Sequence, residues 1–139
     1  METVQLQTLW LSYFIDKKMS HLPLIGNRLE DLLGGMACSN FSVSINSLII
    51  YIVAFSNNTF PEKDCIIFRR KKQQLEIRIN APYDRLLQAD EKETLQIIAE
   101  TYLRAVETFL FNRKDFDGKK FYEDVKNLFE SEGILEKKM

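Results

Sequence analysis

Histidine and cysteine are the side chains that most often perform nucleophilic or metal chemistry, and this chain has few of them. His21 is the single histidine, and Cys38 and Cys65 are the two cysteines. One histidine cannot supply a histidine pair or a multi-histidine metal site. A cysteine nucleophile would need His21 as its base and a third group to orient it, and no flanking pattern marks either thiol as activated. Both thiols are therefore predicted to be packing cysteines.

Two closely spaced carboxylates and a glycine pair could serve other chemistry. Asp115 and Asp117 flank Phe116 and could bind a cation, but loop solvation and capping of the following helix explain them more simply. Gly34-Gly35 lacks the Lys-Ser/Thr of a phosphate-binding loop and fits the end of a helix. No metal or cofactor is expected, and the chain is not predicted to be an enzyme.

The segment 68–79 joins a dense group of cations to an alternating strand pattern. It predicts a charged β-hairpin with strands over 64–70 and 74–80. The cations at its tip are Arg69, Arg70, Lys71 and Lys72. Such a tip could bind an acidic protein surface, could hold RNA if Phe68 stacked on a base, or could simply be solvated.

Apolar spacing predicts the remaining elements. Alternation over 4–13 predicts a first strand, helical spacing over 17–33 a helix, and the β-branched run 41–55 a central strand. Asp90 is a good N-cap for a long helix. A shorter helix follows and stops near Gly133. The stripe of the long helix that should be buried comprises Leu95, Ile98, Ala99, Tyr102, Leu103, Val106 and Leu110.

The elements follow the order β-α-β-β-β-α-α. Antiparallel strands with the helices packed on one face would bury every apolar stripe at once. We therefore predict an α+β fold with an antiparallel four-stranded sheet. The 139 residues fit a single domain, 1–139, that is large enough to bury a core.

Composition is that of an ordinary globular protein, but the charges are unevenly placed. The formal net charge of −1 argues against a general polyanion binder. Residues 61–80 carry six basic and three acidic side chains, whereas residues 81–139 carry thirteen acidic and ten basic ones. The longest apolar stretch, 48–55, is far shorter than the ~20 residues that a membrane helix requires. No signal-peptide pattern is visible, so a cytoplasmic location with reduced thiols is expected.

Several short motifs are spread along the chain in a specific order. They are Leu-Trp-Leu-Ser at 9–12, Phe-Arg-Arg-Lys-Lys at 68–72, Leu-Glu-Ile-Arg-Ile at 75–79, Ala-Asp-Glu-Lys at 89–92, Leu-Arg at 103–104 and Lys-Asp-Phe-Asp at 114–117. Together they resemble the Immunity protein 44 family of bacterial polymorphic-toxin systems. The resemblance extends over nearly the whole chain and is densest from about residue 68 to residue 128.

The resemblance implies a non-enzymatic antitoxin that binds the toxin domain of a polymorphic or contact-dependent system, often a nuclease, in the bacterial cytoplasm. If that toxin is basic, the expected contacts are the acidic residues Asp84, Asp90, Glu91, Glu93 and Glu100. If its face is acidic, the four hairpin cations serve instead, and we favour the acidic set slightly. The alternative function is a small nucleic-acid-binding regulator that uses the hairpin 68–78. The oligomeric state stays open.

Overall fold

A computed structural model describes residues 9–11, 28–29, 31–33, 47–54, 63–71, 73–114 and 116–136. Its strands are β1 (Leu9–Leu11), β2 (Ser47–Ala54), β3 (Cys65–Arg69) and β4 (Gln74–Asn80). Its helices are α1 (Tyr83–Gln88), α2 (Glu91–Leu110) and α3 (Gly118–Ser131), and residues 28–29 and 31–33 are also helical. No helix within these ranges is long and apolar enough to cross a membrane.

The sheet is mixed, so the predicted antiparallel four-stranded sheet is wrong. The strands lie in the order β1-β2-β4-β3, with β1 parallel to β2 and β2 parallel to β4. Among the described strands, only β3 and β4 pair antiparallel. β2 and β4 are parallel neighbours because the β3–β4 hairpin places its second strand, rather than its first, beside β2. The class is α+β, as predicted. The predicted element order, however, omits α1.

One face of the sheet forms the core. The register of β2 and β4 places apolar side chains next to each other, and α2 packs against both strands. Each fully buried aliphatic side chain contributes about 1.5–3 kcal/mol, so this layer is a major source of stability. The fully buried residues of the layer are Leu48, Ile50, Ile52, Leu75, Ile77 and Ile79.

The long helix α2 begins and faces the core as its sequence predicts. Asp90 Oδ1 accepts a hydrogen bond from the Glu93 amide at 2.7 Å, which makes Asp90 the N-cap. Every residue of the predicted stripe is buried. Tyr102 lies within that stripe, and its ring meets Phe129 of α3 edge-on with 6.2 Å between the ring centroids.

The junction between α2 and α3 depends on a close approach of two backbones. Asp117 Oδ1 accepts from the Lys120 amide at 3.2 Å and caps α3. The next residue, Gly118, is buried, and a Cβ at this position would overlap the main-chain carbonyl of Leu110. Glycine is therefore required here because it has no side chain.

The end of α3 lies near Gly133, as the sequence predicts. The Ile134 amide donates to the Phe129 carbonyl at 2.9 Å, and the Gly133 amide donates to the Glu130 carbonyl at 3.1 Å. With a φ of 73° at Gly133, these two bonds form a Schellman motif. Ile134 is itself buried, so the motif returns the chain to the core.

Candidate partner-binding surface

The hairpin cations lie at the turn between β3 and β4. Arg69 is the last residue of β3, and Arg70 and Lys71 are exposed in the turn. Lys72 lies outside the described residues. The Gln73 amide donates to the Arg70 carbonyl at 3.2 Å and closes the turn, with a φ of 48° at Gln73. The predicted hairpin is thus confirmed, with its strands at 65–69 and 74–80.

Arg69 is paired within the sheet. Its Nε lies 3.2 Å from Glu76 Oε2, and Gln74 Nε2 donates to Glu76 Oε1 at 2.8 Å. Because the Arg69 side chain is 55% exposed, solvent screens the attraction, and the pair mainly orients the two side chains. Both carboxylate oxygens of Glu76 are thereby occupied. Within the described part of the chain, no ion pair joins Arg70 or Lys71 to a carboxylate.

The strand β3 is an edge strand with two exposed apolar side chains. It pairs with β4 along one side and is the last of the described strands in the sheet. Ile67 is 44% exposed and Phe68 is 39% exposed, and they are the exposed large hydrophobic residues of the described ranges. Ile67 lies on the face of Glu76 and Phe68 on the face of Leu75. The edge therefore presents apolar groups on both faces beside a row of backbone donors and acceptors.

A polar cluster that the sequence did not reveal joins β3, β4 and α2. Asp64 Oδ1 accepts from the Asn80 amide at 2.8 Å and from Asn80 Nδ2 at 2.9 Å. Arg104 Nη2 donates to the Asn80 carbonyl at 2.7 Å, and Arg104 Nη1 lies 3.4 Å from Asp64 Oδ2. Since Asp64 and Arg104 are partly exposed, the hydrogen bonds matter more than the charge attraction. Arg104 belongs to one of the family motifs, but nothing in that motif indicates its partners Asp64 and Asn80.

Three of the five acidic candidates lie at the start of α2. Asp90 is the N-cap, and Glu91 and Glu93 occupy the first turn, where negative charge interacts favourably with the helix dipole. Asp84 lies in the first turn of the preceding helix, α1, and makes a contact of its own. All four are exposed. Favourable interactions with the N-terminal ends of α1 and α2 explain why these acidic residues occur here. The same residues also form an acidic surface that a partner protein can reach.

Glu100, the fifth acidic candidate, lies between two clefts. On one side it lines a cleft of about 410 Å³ together with Arg85 and Arg104. On the other side it lines a cleft of about 420 Å³ between α2 and α3, together with Lys126 and Glu130. Each cleft is lined by acidic and basic side chains, so neither cleft favours a ligand of one particular charge.

Glu100 and the cationic turn belong to different surfaces. Asn80, the last residue of β4, lines the first of the Glu100 clefts, whereas the cationic turn precedes Gln74 at the other end of that strand. At about 3.3 Å per residue, the two ends of β4 lie roughly 20 Å apart. One small contact cannot therefore use the turn and this cleft together.

Of the histidine, cysteines and paired aspartates that could do chemistry, Cys65 and Asp117 lie in the part of the chain that the structure describes. Cys65 is a half-buried free thiol at the start of β3. Within the described ranges, no group of three or more acidic, histidine or cysteine side chains could hold a metal ion. Asp117 caps α3, as the simpler interpretation predicted. His21, Cys38 and Asp115 lie outside the described residues.

Comparison with known protein families agrees with the resemblance in the motifs. The model of the family described as Immunity protein 44 matches residues 8–131, which is most of the chain. This chain belongs to the Immunity protein 44 family. No curated protein and no solved structure gives a significant match.

Several residues of the Immunity protein 44 motifs have structural roles in this chain. Asp90 and Asp117 cap α2 and α3, and Arg104 joins α2 to the end of β4. Arg70 and Lys71 differ from them, because they are exposed in a turn and form no ion pair with the described residues. Ion pairs within the described part of the fold therefore do not explain their place in the motif.

Proposed function

We propose that this chain is an immunity protein that binds a cognate toxin domain and neutralises it. It acts by covering the toxin's active site or the surface that the toxin's substrate must reach. The observation that carries the proposal is the Immunity protein 44 match over residues 8–131. Such a protein needs an ordered surface of suitable charge and performs no reaction itself.

The contacts at both ends of the hairpin support a role in tight binding. The Arg69–Glu76 pair lies near the turn, and the Asp64–Asn80–Arg104 cluster lies at the opposite end. A surface that is ordered before association loses less conformational entropy when the complex forms. This favours the nanomolar or tighter affinity that protection from a toxin requires.

The direct test uses the toxin domain encoded beside the gene for this chain. Cells that produce the toxin domain alone should stop growing, and cells that also produce this chain should survive. The purified pair should co-elute in size-exclusion chromatography and give a nanomolar dissociation constant by calorimetry. Toxin recovered from the complex should have an unchanged mass, because the chain binds without reacting. Absence of both protection and binding would refute the proposal.

The charge of the toxin determines which candidate surface it can use. A basic toxin face would pair with the acidic residues at the start of α2, and an acidic face with the hairpin cations. Glu91→Lys and Glu93→Lys test the acidic surface well because both side chains are exposed. Asp90 is a poor choice, since its substitution also removes the N-cap.

The alternative, a nucleic-acid-binding regulator, is less well supported by the hairpin. Single-stranded nucleic acid is held by aromatic platforms that work together with nearby cations. Here Phe68 and Arg69 lie on opposite faces of β3, and Arg69 is already paired with Glu76. Electrophoretic mobility shifts with single-stranded RNA at low salt test this alternative. Retention that falls steeply with salt would favour it over toxin binding.

A further inference from the structure

We propose that the outer edge of β3 is the toxin-binding element, and that it pairs with an extended toxin segment. That segment would carry apolar side chains at its centre and acidic ones at its ends. This inference rests on the proposed function and adds to it the contact surface, the mode of binding and the charge of the partner. It also reverses the initial preference for the acidic residues of α1 and α2.

The geometry of the β3 edge suits the addition of a strand. The outer side of β3 has no strand beside it among the described elements, so its backbone can extend the sheet by one strand. Ile67 and Phe68 lie on opposite faces near the middle of the strand, at 44% and 39% exposure. An added strand would cover both, because its own side chains alternate between the same two faces.

Charge at the two ends of the β3 edge favours an acidic partner segment. Lys63 is exposed just before β3, and Arg70 and Lys71 are exposed just after it. Among the described residues from 63 to 80, the acidic side chains are already engaged: Asp64 by Asn80 and Arg104, and Glu76 by Arg69 and Gln74. The two ends of the edge therefore carry positive charge, which an acidic partner segment would complement.

The centre of β3 has no charge, proline or bulge that would discourage strand pairing. Edge strands usually avoid unwanted pairing through an inward-pointing charge, a proline or a bulge within the strand. The centre of β3 is Ile66-Ile67-Phe68, and its register with β4 runs without a bulge from Cys65 to Arg69. Arg69 is the last residue of β3, and Lys63, Arg70 and Lys71 lie outside the strand, so no cation interrupts its apolar centre. This arrangement suits pairing with a specific partner better than it suits preventing all pairing.

The test introduces charge at the edge while leaving the core intact. The double variant Ile67→Lys/Phe68→Lys places two ammonium groups where the toxin strand would lie. We expect its dissociation constant for the toxin domain to rise by about 30-fold or more, as for the central residues of an interface. A matched control, Thr108→Lys/Asn127→Lys, adds the same charge at exposed helix positions and should bind as the wild type does. Unchanged thermal melting of both variants verifies that they fold.

Hydrogen exchange distinguishes strand addition from contact through side chains alone. Strand pairing uses backbone amides, so amides of β3 that exchange quickly in the free chain should become protected in the complex. Arg70→Glu/Lys71→Glu should weaken binding by about 3- to 30-fold through loss of charge complementarity. Protection confined to α1 and α2 would overturn the proposal.

The outcomes separate this inference from the proposed function. If the wild-type chain neither binds the toxin nor protects cells, the proposed function itself fails. If the wild type binds and the β3 double variant binds equally well, the function stands and the edge is not the contact.

If binding is lost only in Glu91→Lys/Glu93→Lys, the acidic surface is the contact. If Ile67→Lys/Phe68→Lys dissociates a dimer of the free chain without affecting toxin binding, the edge serves a second copy of this chain.

Discussion

Tyr102 shows how one buried group can limit stability. Its hydroxyl is buried and has no hydrogen-bond partner within the described part of the chain. An unsatisfied buried hydroxyl costs about 1–3 kcal/mol. Tyr102→Phe keeps the ring that packs on Phe129, so we expect the free energy of unfolding to stay equal or to rise by about 1 kcal/mol. Urea unfolding measures this, and a loss of more than about 1 kcal/mol would contradict the description of the site.

The same substitution has a pH dependence of predictable sign. Burial raises the pKa of Tyr102 well above the usual value of 10.0. Below pH 10 the phenol is protonated in both states, and its contribution to stability is fully present. Above pH 10 it ionises in the unfolded chain but not in the folded one, so stability falls as the pH rises. Tyr102→Phe should lose stability less steeply above pH 10, and an equal loss in both proteins would count against this.

The carboxylate of Asp90 should matter more for stability than its acidic neighbours. It accepts the Glu93 amide at 2.7 Å, so Asp90→Ala leaves an unpaired donor at the start of α2. We expect the free energy of unfolding to fall by about 1 kcal/mol. Glu91→Ala is the matched control, and its loss of dipole interaction should cost about 0.3–1 kcal/mol. Chemical denaturation of both variants measures the difference, and a smaller loss for Asp90→Ala would refute this role.

At the scale of elements, the sequence predicts those features that depend on local pattern. The stripe from Leu95 to Leu110, the cap at Asp90 and the stop near Gly133 all follow from helical spacing and terminal residues. The hairpin follows from two alternating runs around a polar turn. Each of these features is determined by residues that lie close together along the chain, so the sequence of that segment is enough to predict it.

The sheet order could not be predicted in the same way. Buried Leu48, Ile50 and Ile52 mark β2 as a central strand, but this pattern is the same for parallel and antiparallel neighbours. Which hairpin strand lies beside β2 depends on the connection from β2 to β3, where the composition of 56–61 indicates a loop but not its path. Assuming that consecutive strands pair led to the wrong topology. The 83–88 helix was missed because six residues give too short a periodic signal.

The α2–α3 junction yields a prediction about glycine. In Gly118→Ala the new methyl group would overlap the Leu110 carbonyl, and the two helices would have to separate. We expect a loss of about 1–3 kcal/mol or more from this overpacking. Gly133→Ala is the control: it has no atom within 4 Å of the new methyl group and bears mainly the cost of a positive φ, about 1 kcal/mol. Urea denaturation compares the two, and an equal or smaller loss for Gly118→Ala would show that the junction is not tight.

For the whole molecule, the sequence indicated the charged hairpin but not the surface that it forms. The exposure of Ile67 and Phe68 depends on β3 being an edge strand, which in turn depends on the sheet order. The cluster of Asp64, Asn80 and Arg104 joins residues up to 40 positions apart, and no local pattern predicts it. The family was recognisable because its motifs are ordered along the chain. A contact surface is assembled from distant segments and requires the fold.

Inhibition by binding and inhibition by reaction differ most clearly in their stoichiometry. The decisive measurement titrates purified toxin domain with this chain and follows the remaining toxin activity. Neutralisation by binding predicts that activity falls in proportion to the chain added and disappears at a fixed molar ratio, independent of incubation time. Complete inactivation by a small fraction of that amount, progressing with time, would mean that the chain acts as a catalyst and would contradict the account.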